Sequence, residues 1–117
     1  MQLTEITYPD AAPVDGYGPG FFRVAGRVIE GAMLITATSA RVWGGFDDTA
    51  ALTALAGDID VLILGTGAEI ALAPTPLREA LEEAGVGVEP MASPAACRTY
   101  NVLLAEGRRV ALAALPV

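Results

Sequence analysis

The sequence predicts a single α/β domain, residues 1–117, organised around a mixed β-sheet. The second half of the chain has the order β-α-β-α-β with short connections, which is typical of partly parallel strands covered by helices. The first half is rich in short strand-like segments, which supply the remaining strands and make the sheet mixed. A chain of 117 residues, 53% of them hydrophobic, is long enough and apolar enough for one core.

Five short strands are predicted in the β-rich N-terminal half. Alternating side chains mark the first of them, and Gly31 separates the third from the fourth. The segment from Pro9 to Gly20 is rich in proline, glycine and aspartate and therefore predicts a loop. The predicted strands are Leu3–Tyr8, Phe21–Ala25, Arg27–Glu30, Ala32–Ala37 and Arg41–Trp43.

Three helices and three strands are predicted in the C-terminal half. Asp47 or Asp48 is expected to cap a short helix that ends near Leu55. Thr75 and Ser93 are predicted to begin the two longer helices as N-caps, because each precedes a proline suited to the first helical position. These helices end at Gly85 and Gly107, and the predicted strands are Ile59–Leu64, Val86–Met91 and Arg108–Leu115.

The charge balance argues against two classes of partner. Fourteen acidic and seven basic residues give a net charge of −7, the opposite of what nucleic-acid phosphates attract. An anionic membrane surface would also repel this chain, and no apolar run reaches the roughly 20 residues of a membrane span. One cysteine and no signal-like start indicate a cytoplasmic, bacterial-type protein.

The chain contains no histidine. This absence removes Ser-His-Asp and Cys-His catalysis and most zinc sites, so it lowers the expectation of an enzyme. The acidic residues show no spacing that favours a metal site, and they are expected to serve capping and solubility. We therefore expect no metal and no cofactor.

Several short motifs occur in the same order as in the sequences of a known family. They are Ile63-Leu64-Gly65-Thr66-Gly67, Pro76-Leu77-Arg78, Glu89-Pro90-Met91, Ala96-Cys97-Arg98-Thr99-Tyr100-Asn101-Val102-Leu103 and Glu106-Gly107-Arg108-Arg109-Val110, preceded by Tyr17, Gly20-Phe21-Phe22 and Val42-Trp43. The chain resembles the uncharacterised-domain family that includes the mitochondrial NADH dehydrogenase (complex I) assembly factor 3. This resemblance implies a three-layer α/β fold with a central mixed sheet. It brings no established chemistry, and the mitochondrial member is regarded as a non-catalytic assembly factor.

Gly65, Thr66 and Gly67 form the first candidate ligand-binding element. They follow a buried strand, where a dinucleotide-binding fingerprint would begin. Ile70 stands where that fingerprint requires glycine, and the chain has no lysine for a phosphate-binding loop. The favoured interpretation is a tight turn that uses the positive φ of glycine, and a phosphate site is the alternative.

Cys97, Arg98 and Asn101 form the second candidate element. Cys97 and Asn101 lie four residues apart on one helix face, and the helix begins at the same sheet edge as the Gly65 loop. Free backbone N–H groups together with Arg98 could hold an anionic ligand, and the helix dipole would lower the pKa of an exposed Cys97 thiol. In the alternative interpretation, Cys97 is a small buried hydrophobe and Asn101 satisfies a nearby backbone group.

Tyr17 and Trp43 are candidate interaction residues, because both lie near glycine-rich turns and could form an exposed apolar patch. They could equally lie in the core, as is expected of Phe21. Two functions therefore stay open. The first is a non-enzymatic accessory protein, with a partner in the assembly of a membrane or respiratory complex. The second is a small-molecule-binding protein or an enzyme, with an anionic ligand held between the Gly65 loop and the Cys97 helix.

Overall fold

The structure is a computed structural model that describes residues 11–117 and the backbone of residues 5–7. The described strands are β1 Glu5–Thr7, β2 Val14–Gly18, β3 Phe21–Val24, β4 Arg27–Glu30, β5 Met33–Ile35, β6 Ser39–Val42, β7 Val61–Thr66, β8 Gly87–Met91 and β9 Val110–Leu115. The described α-helices are α1 Thr49–Thr53, α2 Thr75–Glu83 and α3 Ser93–Ala105, and a 3₁₀ turn spans Gly45–Asp47.

The central sheet is mixed, as the sequence predicts. Its six strands lie in the order β1-β6-β5-β9-β7-β8. β7 runs parallel to both β8 and β9, so that Gly65 lies opposite Met91 on one side and Ala114 on the other. β9 pairs antiparallel with β5, which joins the strands of the first half to the parallel unit.

Each face of the central sheet is covered, so the three-layer architecture is confirmed. Along β7, Ile63 packs into the core beneath α3 and the β2–β4 strands, whereas Leu62 and Leu64 pack into the core beneath α1 and α2. The same alternation continues in β9, where Leu112 faces one core and Ala113 faces the other. Successive strand residues point to opposite faces, so a strand buried on both sides is apolar throughout.

The predicted loop from Pro9 to Gly20 is wrong in part, because it contains β2. β2 pairs with β3, and β3 with β4, in a separate three-stranded sheet that does not extend the central one. β2 contains Gly16 and Gly18, so its sequence resembles a turn, and its pairing with β3 has a register shift between Val14 and Gly16. Phe21 was expected in the core, but it is only half-buried, and its neighbour Phe22 is the buried one.

Strand positions in the central sheet differ from the predictions at several ends. Of the predicted strand Leu3–Tyr8, the structure has β1 over Glu5–Thr7, and the rest lies outside the described residues. The predicted strand Ala32–Ala37 is shorter, because a turn of hydrogen bonds between Thr36 and Ser39 ends β5 and begins β6.

Of the three predicted helix caps, Asp48 is confirmed, whereas Thr75 and Ser93 are wrong. Asp48 caps α1 and accepts a hydrogen bond from the Ala51 N–H at 3.4 Å. Thr75 and Ser93 are instead the first residues of α2 and α3, with Pro74 and Ala92 in the cap positions and no side-chain cap hydrogen bond. In α3 the Ser93 hydroxyl is engaged by other groups, which are described below.

Asn101 attaches the small sheet to α3. Its Oδ1 accepts a hydrogen bond from the Val14 N–H at 2.8 Å, and its Nδ2 donates to the Val14 carbonyl at 3.0 Å. One side-chain amide thus satisfies both backbone groups of a buried residue at the start of β2. This geometry agrees with the interpretation of Asn101 as the partner of a backbone group.

Replacement of Asn101 by leucine should therefore destabilise the whole domain. The variant leaves the N–H and carbonyl of Val14 without their side-chain partner, so we expect Asn101→Leu to lower the free energy of unfolding by about 1–3 kcal/mol. Urea denaturation followed by circular dichroism measures this loss. Val102→Ala on the exposed face of α3 is the control and should stay within about 0.5 kcal/mol of the parent. Equal midpoints for both variants would show that the Asn101 contact is dispensable.

Candidate functional site

The carboxyl ends of the parallel strands β7, β8 and β9 meet at one edge of the central sheet. α3 begins two residues after β8, and the Ser93 N–H donates to the Gly67 carbonyl at 2.8 Å. The predicted position of this helix start beside the Gly65 loop is therefore confirmed. In open α/β sheets, ligands bind preferentially at this edge, so it is the first place to look for a functional site.

Ser93 lies at the centre of this edge and is 1% exposed. Its Oγ accepts a hydrogen bond from the Gly67 N–H at 2.9 Å and donates to the Leu115 carbonyl at 2.6 Å. One hydroxyl thus joins the end of β7, the end of β9 and the start of α3. From the sequence, Ser93 is predicted only as a helix cap, because a Ser-Pro pair gives the same local signal whichever way the hydroxyl points.

The two glycines of the loop have different reasons to be glycine. At Gly65 a Cβ atom would lie 2.7 Å from Ser93 Oγ and 2.9 Å from Ala114 Cβ, so α3 and β9 approach β7 too closely for a side chain. Gly67 adopts a φ of +98°, as a tight turn requires. The positive-φ interpretation therefore holds for Gly67, whereas Gly65 lies inside β7 and is needed for packing. The Gly67 N–H is already bonded to Ser93.

Thr66 organises the loop that follows β7. Its Oγ1 lies 2.7 Å from the Glu69 carbonyl and 3.2 Å from the Met91 carbonyl, and it accepts a hydrogen bond from the Ala71 N–H at 3.0 Å. The hydroxyl therefore binds the backbone on both sides of Ile70. This local network fixes the loop while the side chain of Ile70 stays 69% exposed.

Cys97 does not belong to an exposed site. The side chain is 4% exposed and packs in the core with Ala96 and Tyr100. Burial raises the pKa of the thiol to about 11, and the nearby Arg98 charge lowers it by less. The hypothesis of an exposed thiol with a lowered pKa is thus wrong, since desolvation outweighs the nearby positive charge. Arg98 is exposed beside this buried thiol, and Asn101 faces β2.

The two candidate interaction residues have opposite environments. Trp43 is 2% exposed; its ring N–H donates to the Asp48 carbonyl at 3.1 Å, and its ring meets Phe46 edge-on with centroids 6.1 Å apart. Trp43 is therefore a core residue, and its prediction as an exposed interaction residue is wrong. Tyr17 is 42% exposed and stays a candidate.

We call three exposed apolar side chains the edge patch: Ile70 and Leu72 on the loop that follows β7, and Tyr17 in β2. Leu72 is 90% exposed, the highest value among the large described hydrophobic residues. The C-terminal residues connect the two parts of the patch. The Gly20 N–H, in the turn after Tyr17, donates to the Val117 carbonyl at 3.0 Å, and the Pro116 carbonyl lies against Gly67 before Ile70.

Two further features of the described residues bear on the site. No group of three or more histidine, cysteine, aspartate or glutamate side chains within residues 11–117 has the geometry to hold a metal ion. The helices in the described part of the chain are too short to cross a bilayer, since the longest, α3, has 13 residues.

Residues 14–115 match the family described as a protein of unknown function, DUF498/DUF598. The chain belongs to this family. The chain is also similar to an uncharacterised protein of Rhodobacter capsulatus, with 56% identity over 117 residues that cover all of this chain and 94% of the relative. The family resemblance inferred from the motifs is thereby confirmed.

The same family includes complex I assembly factors. The mouse NADH dehydrogenase [ubiquinone] 1 alpha subcomplex assembly factor 3 is 25% identical over 123 residues, which cover 99% of this chain and 66% of the mouse protein. The crystal structure of an outer membrane protein from Bartonella henselae shares the fold, with 34% identity, a TM-score of 0.84 and coverage of 94% of this chain and 98% of that one.

The close approach at Gly65 generates a stability prediction. Gly65→Ala would place a methyl group against Ser93 Oγ and Ala114, and we expect it to lower the free energy of unfolding by about 1–3 kcal/mol through overpacking. Thermal and urea denaturation measure the change. Gly57→Ala is the matched control, because a Cβ there meets no atom within 4 Å. If the two variants were equally stable, the packing argument at Gly65 would fail.

The buried thiol generates a prediction about pH. Folding raises the Cys97 pKa from 9.0 to about 11, so the folded state holds this proton more tightly than the unfolded state. The resulting stabilisation is fully present below pH 9 and is lost as the pH rises towards 11. The stability difference between the parent and Cys97→Ala should therefore fall between pH 9 and pH 11, as measured by urea denaturation at each pH. A difference that does not change with pH would contradict the raised pKa.

Proposed function

We propose that this protein is a non-enzymatic accessory protein, and that it assists assembly of a respiratory complex by binding a protein partner through the edge patch. The observation that carries the proposal is the exposure of Ile70 and Leu72 on one short loop. Exposing grouped apolar side chains of this size to water is unfavourable, and the free energy falls when a partner covers them. Tyr17 adds an aromatic side chain with a polar end, a type enriched at protein interfaces.

The loop is organised for binding before a partner arrives. Thr66 holds the backbone on both sides of Ile70, and Ser93 holds Gly67 at the start of the same loop. A loop already fixed by such hydrogen bonds loses less conformational entropy when it binds. The conformation of Ile70 and Leu72 is thus supported by residues that the partner would not touch.

The chemistry at this edge favours binding over catalysis. The Ser93 hydroxyl is buried and donates to the Leu115 carbonyl, so it is not directed at a substrate. The Cys97 thiol is buried, and its raised pKa keeps it protonated at neutral pH. Both groups act as structural supports in this geometry, whereas Ile70 and Leu72 expose apolar side chains on the loop after β7.

The name of the mouse relative indicates which class of partner to expect. That protein is an assembly factor for the NADH dehydrogenase 1 alpha subcomplex, and the match spans nearly all of this chain. We extend the assembly role to this chain and place its action in the cytoplasm, the compartment that fits a chain with one buried, unpaired cysteine. Respiratory-complex subunits still awaiting assembly expose apolar surfaces, which the edge patch would complement.

Native affinity purification tests the proposal. The tagged chain is isolated from its own cells in mild detergent, and quantitative mass spectrometry compares it with a mock purification. We expect reproducible enrichment of respiratory-complex subunits. The double variant Ile70→Ser, Leu72→Ser should reduce this enrichment at least about fivefold, because central apolar contacts dominate interface energies.

Val102→Ser is the matched control, since Val102 is 58% exposed on α3 outside the edge patch. It should retain the co-purified subunits at parental levels. A parent protein that is isolated alone would contradict the accessory role, whereas equal loss with both variants would contradict the edge patch.

A further inference from the structure

A cleft of about 600 Å³ lies at the opposite edge of the central sheet from the edge patch. It is formed where β7 and β9 begin and where α3 ends, beside the turn that joins β5 to β6. Its lining includes Thr36, Ser39, Ile59, Leu104, Arg108 and Val110. The volume is in the range of small-molecule sites, about 300–1,000 Å³.

Part of the cleft lining is aliphatic. Ile59 and Val110 are buried beside it, and Leu55 and Leu104 are half-buried. These side chains come from two stretches that are distant along the chain, residues 55–59 and 104–110, and they lie at the margin of the packed core. An apolar ligand body would remove their remaining surface from water.

One wall of the cleft is held by its own hydrogen bonds. The Thr36 N–H donates to the Ser39 carbonyl at 2.8 Å, and Thr36 Oγ1 accepts from the Ser39 N–H at 3.1 Å and from the Thr38 N–H at 3.3 Å. This turn is therefore fixed before any ligand binds. A preformed wall is typical of small-molecule sites.

The charges at the cleft favour one negative group. Two arginines and one aspartate line it, a formal charge of +1 in a protein whose net charge is −7. Arg109 is already held, with its Nη2 2.8 Å from the Gly57 carbonyl and its Nε 3.7 Å from an Asp60 carboxylate oxygen. Within residues 11–117 the Arg108 side chain has no such partner, and it is exposed at the rim.

We propose that this cleft binds a small aliphatic monocarboxylate. The alkyl chain would pack against Leu55, Ile59 and Leu104, and the carboxylate would accept hydrogen bonds from the Arg108 guanidinium. Asp58 at the same rim repels anions, so a polyanion such as a nucleotide or a diphosphate is disfavoured. This site is independent of the edge patch and of the proposed assembly role.

Titration of the ¹⁵N-labelled protein with sodium octanoate, followed by NMR, tests the proposal. We expect saturable shifts of the Thr38, Leu104 and Val110 amide signals. Arg108→Gln should weaken octanoate binding about tenfold, the loss expected for a charge-assisted hydrogen bond. Arg78→Gln is the matched control, because Arg78 is an exposed arginine on α2, paired with Glu82, and should leave the affinity unchanged.

Two further probes separate the alkyl contribution from the charge. Butyrate should bind at least about tenfold more weakly than octanoate, since it buries four fewer methylene groups. Octylammonium should bind more weakly than octanoate, because it places a positive charge beside Arg108. The proposal is overturned if octanoate gives no saturable shifts at these amides, if Arg108→Gln binds it as well as the parent does, or if octylammonium binds equally well.

Discussion

The hydrogen bonds of the Ser93 hydroxyl constrain everything around the carboxyl edge of the sheet. This oxygen accepts from the end of β7 and donates to the end of β9, while its own residue begins α3. Such a buried hydroxyl is tolerated because both of its hydrogen-bonding functions are satisfied. The helix is thereby brought so close to the sheet that position 65 has no space for a side chain, and the loop after β7 starts from a fixed point.

The structure places its two candidate binding regions at opposite ends of the same helix. α3 begins at Ser93 beside the edge patch and ends near Leu104 beside the cleft. The sheet between them is buried on both faces, so function is confined to the edges and loops, where side chains are free of the core. An apolar protruding loop suits a protein partner, whereas a recess with a charged rim suits a small molecule.

The C-terminal half was predictable because its signals are local. The continuous apolar run in β7 and the proline-marked helix starts lie within short stretches, and the family motifs fall mainly in the same region. The small sheet was not predictable in the same way, because β2 contains two glycines and a register shift that only its partner strand explains. Local sequence could place Cys97 on α3, but only the packed structure shows that burial governs its thiol.

The exposure of the candidate surface residues was also not predictable from local sequence. Tyr17 and Trp43 have similar glycine-rich surroundings in the sequence, yet one is exposed and the other is enclosed by Phe46 and the backbone of Asp48. In the sequence, Ile70 is notable only because it stands where a dinucleotide-binding fingerprint requires glycine. Its exposure depends on the Thr66 hydrogen bonds, which connect residues that no periodic pattern links.

The position of β9 has a consequence for how the chain folds. This strand lies in the interior of the sheet, between β5 and β7, so within the central sheet β1, β6 and β5 are connected to β7 and β8 only through it. During synthesis the earlier strands leave the ribosome before their central partner exists, and their apolar faces must wait for residues 110–115. Contacts so distant along the chain slow folding, since the loop between them must close first. Until residues 110–115 pair with both neighbours, β5 and β7 have no hydrogen-bonded connection within the central sheet.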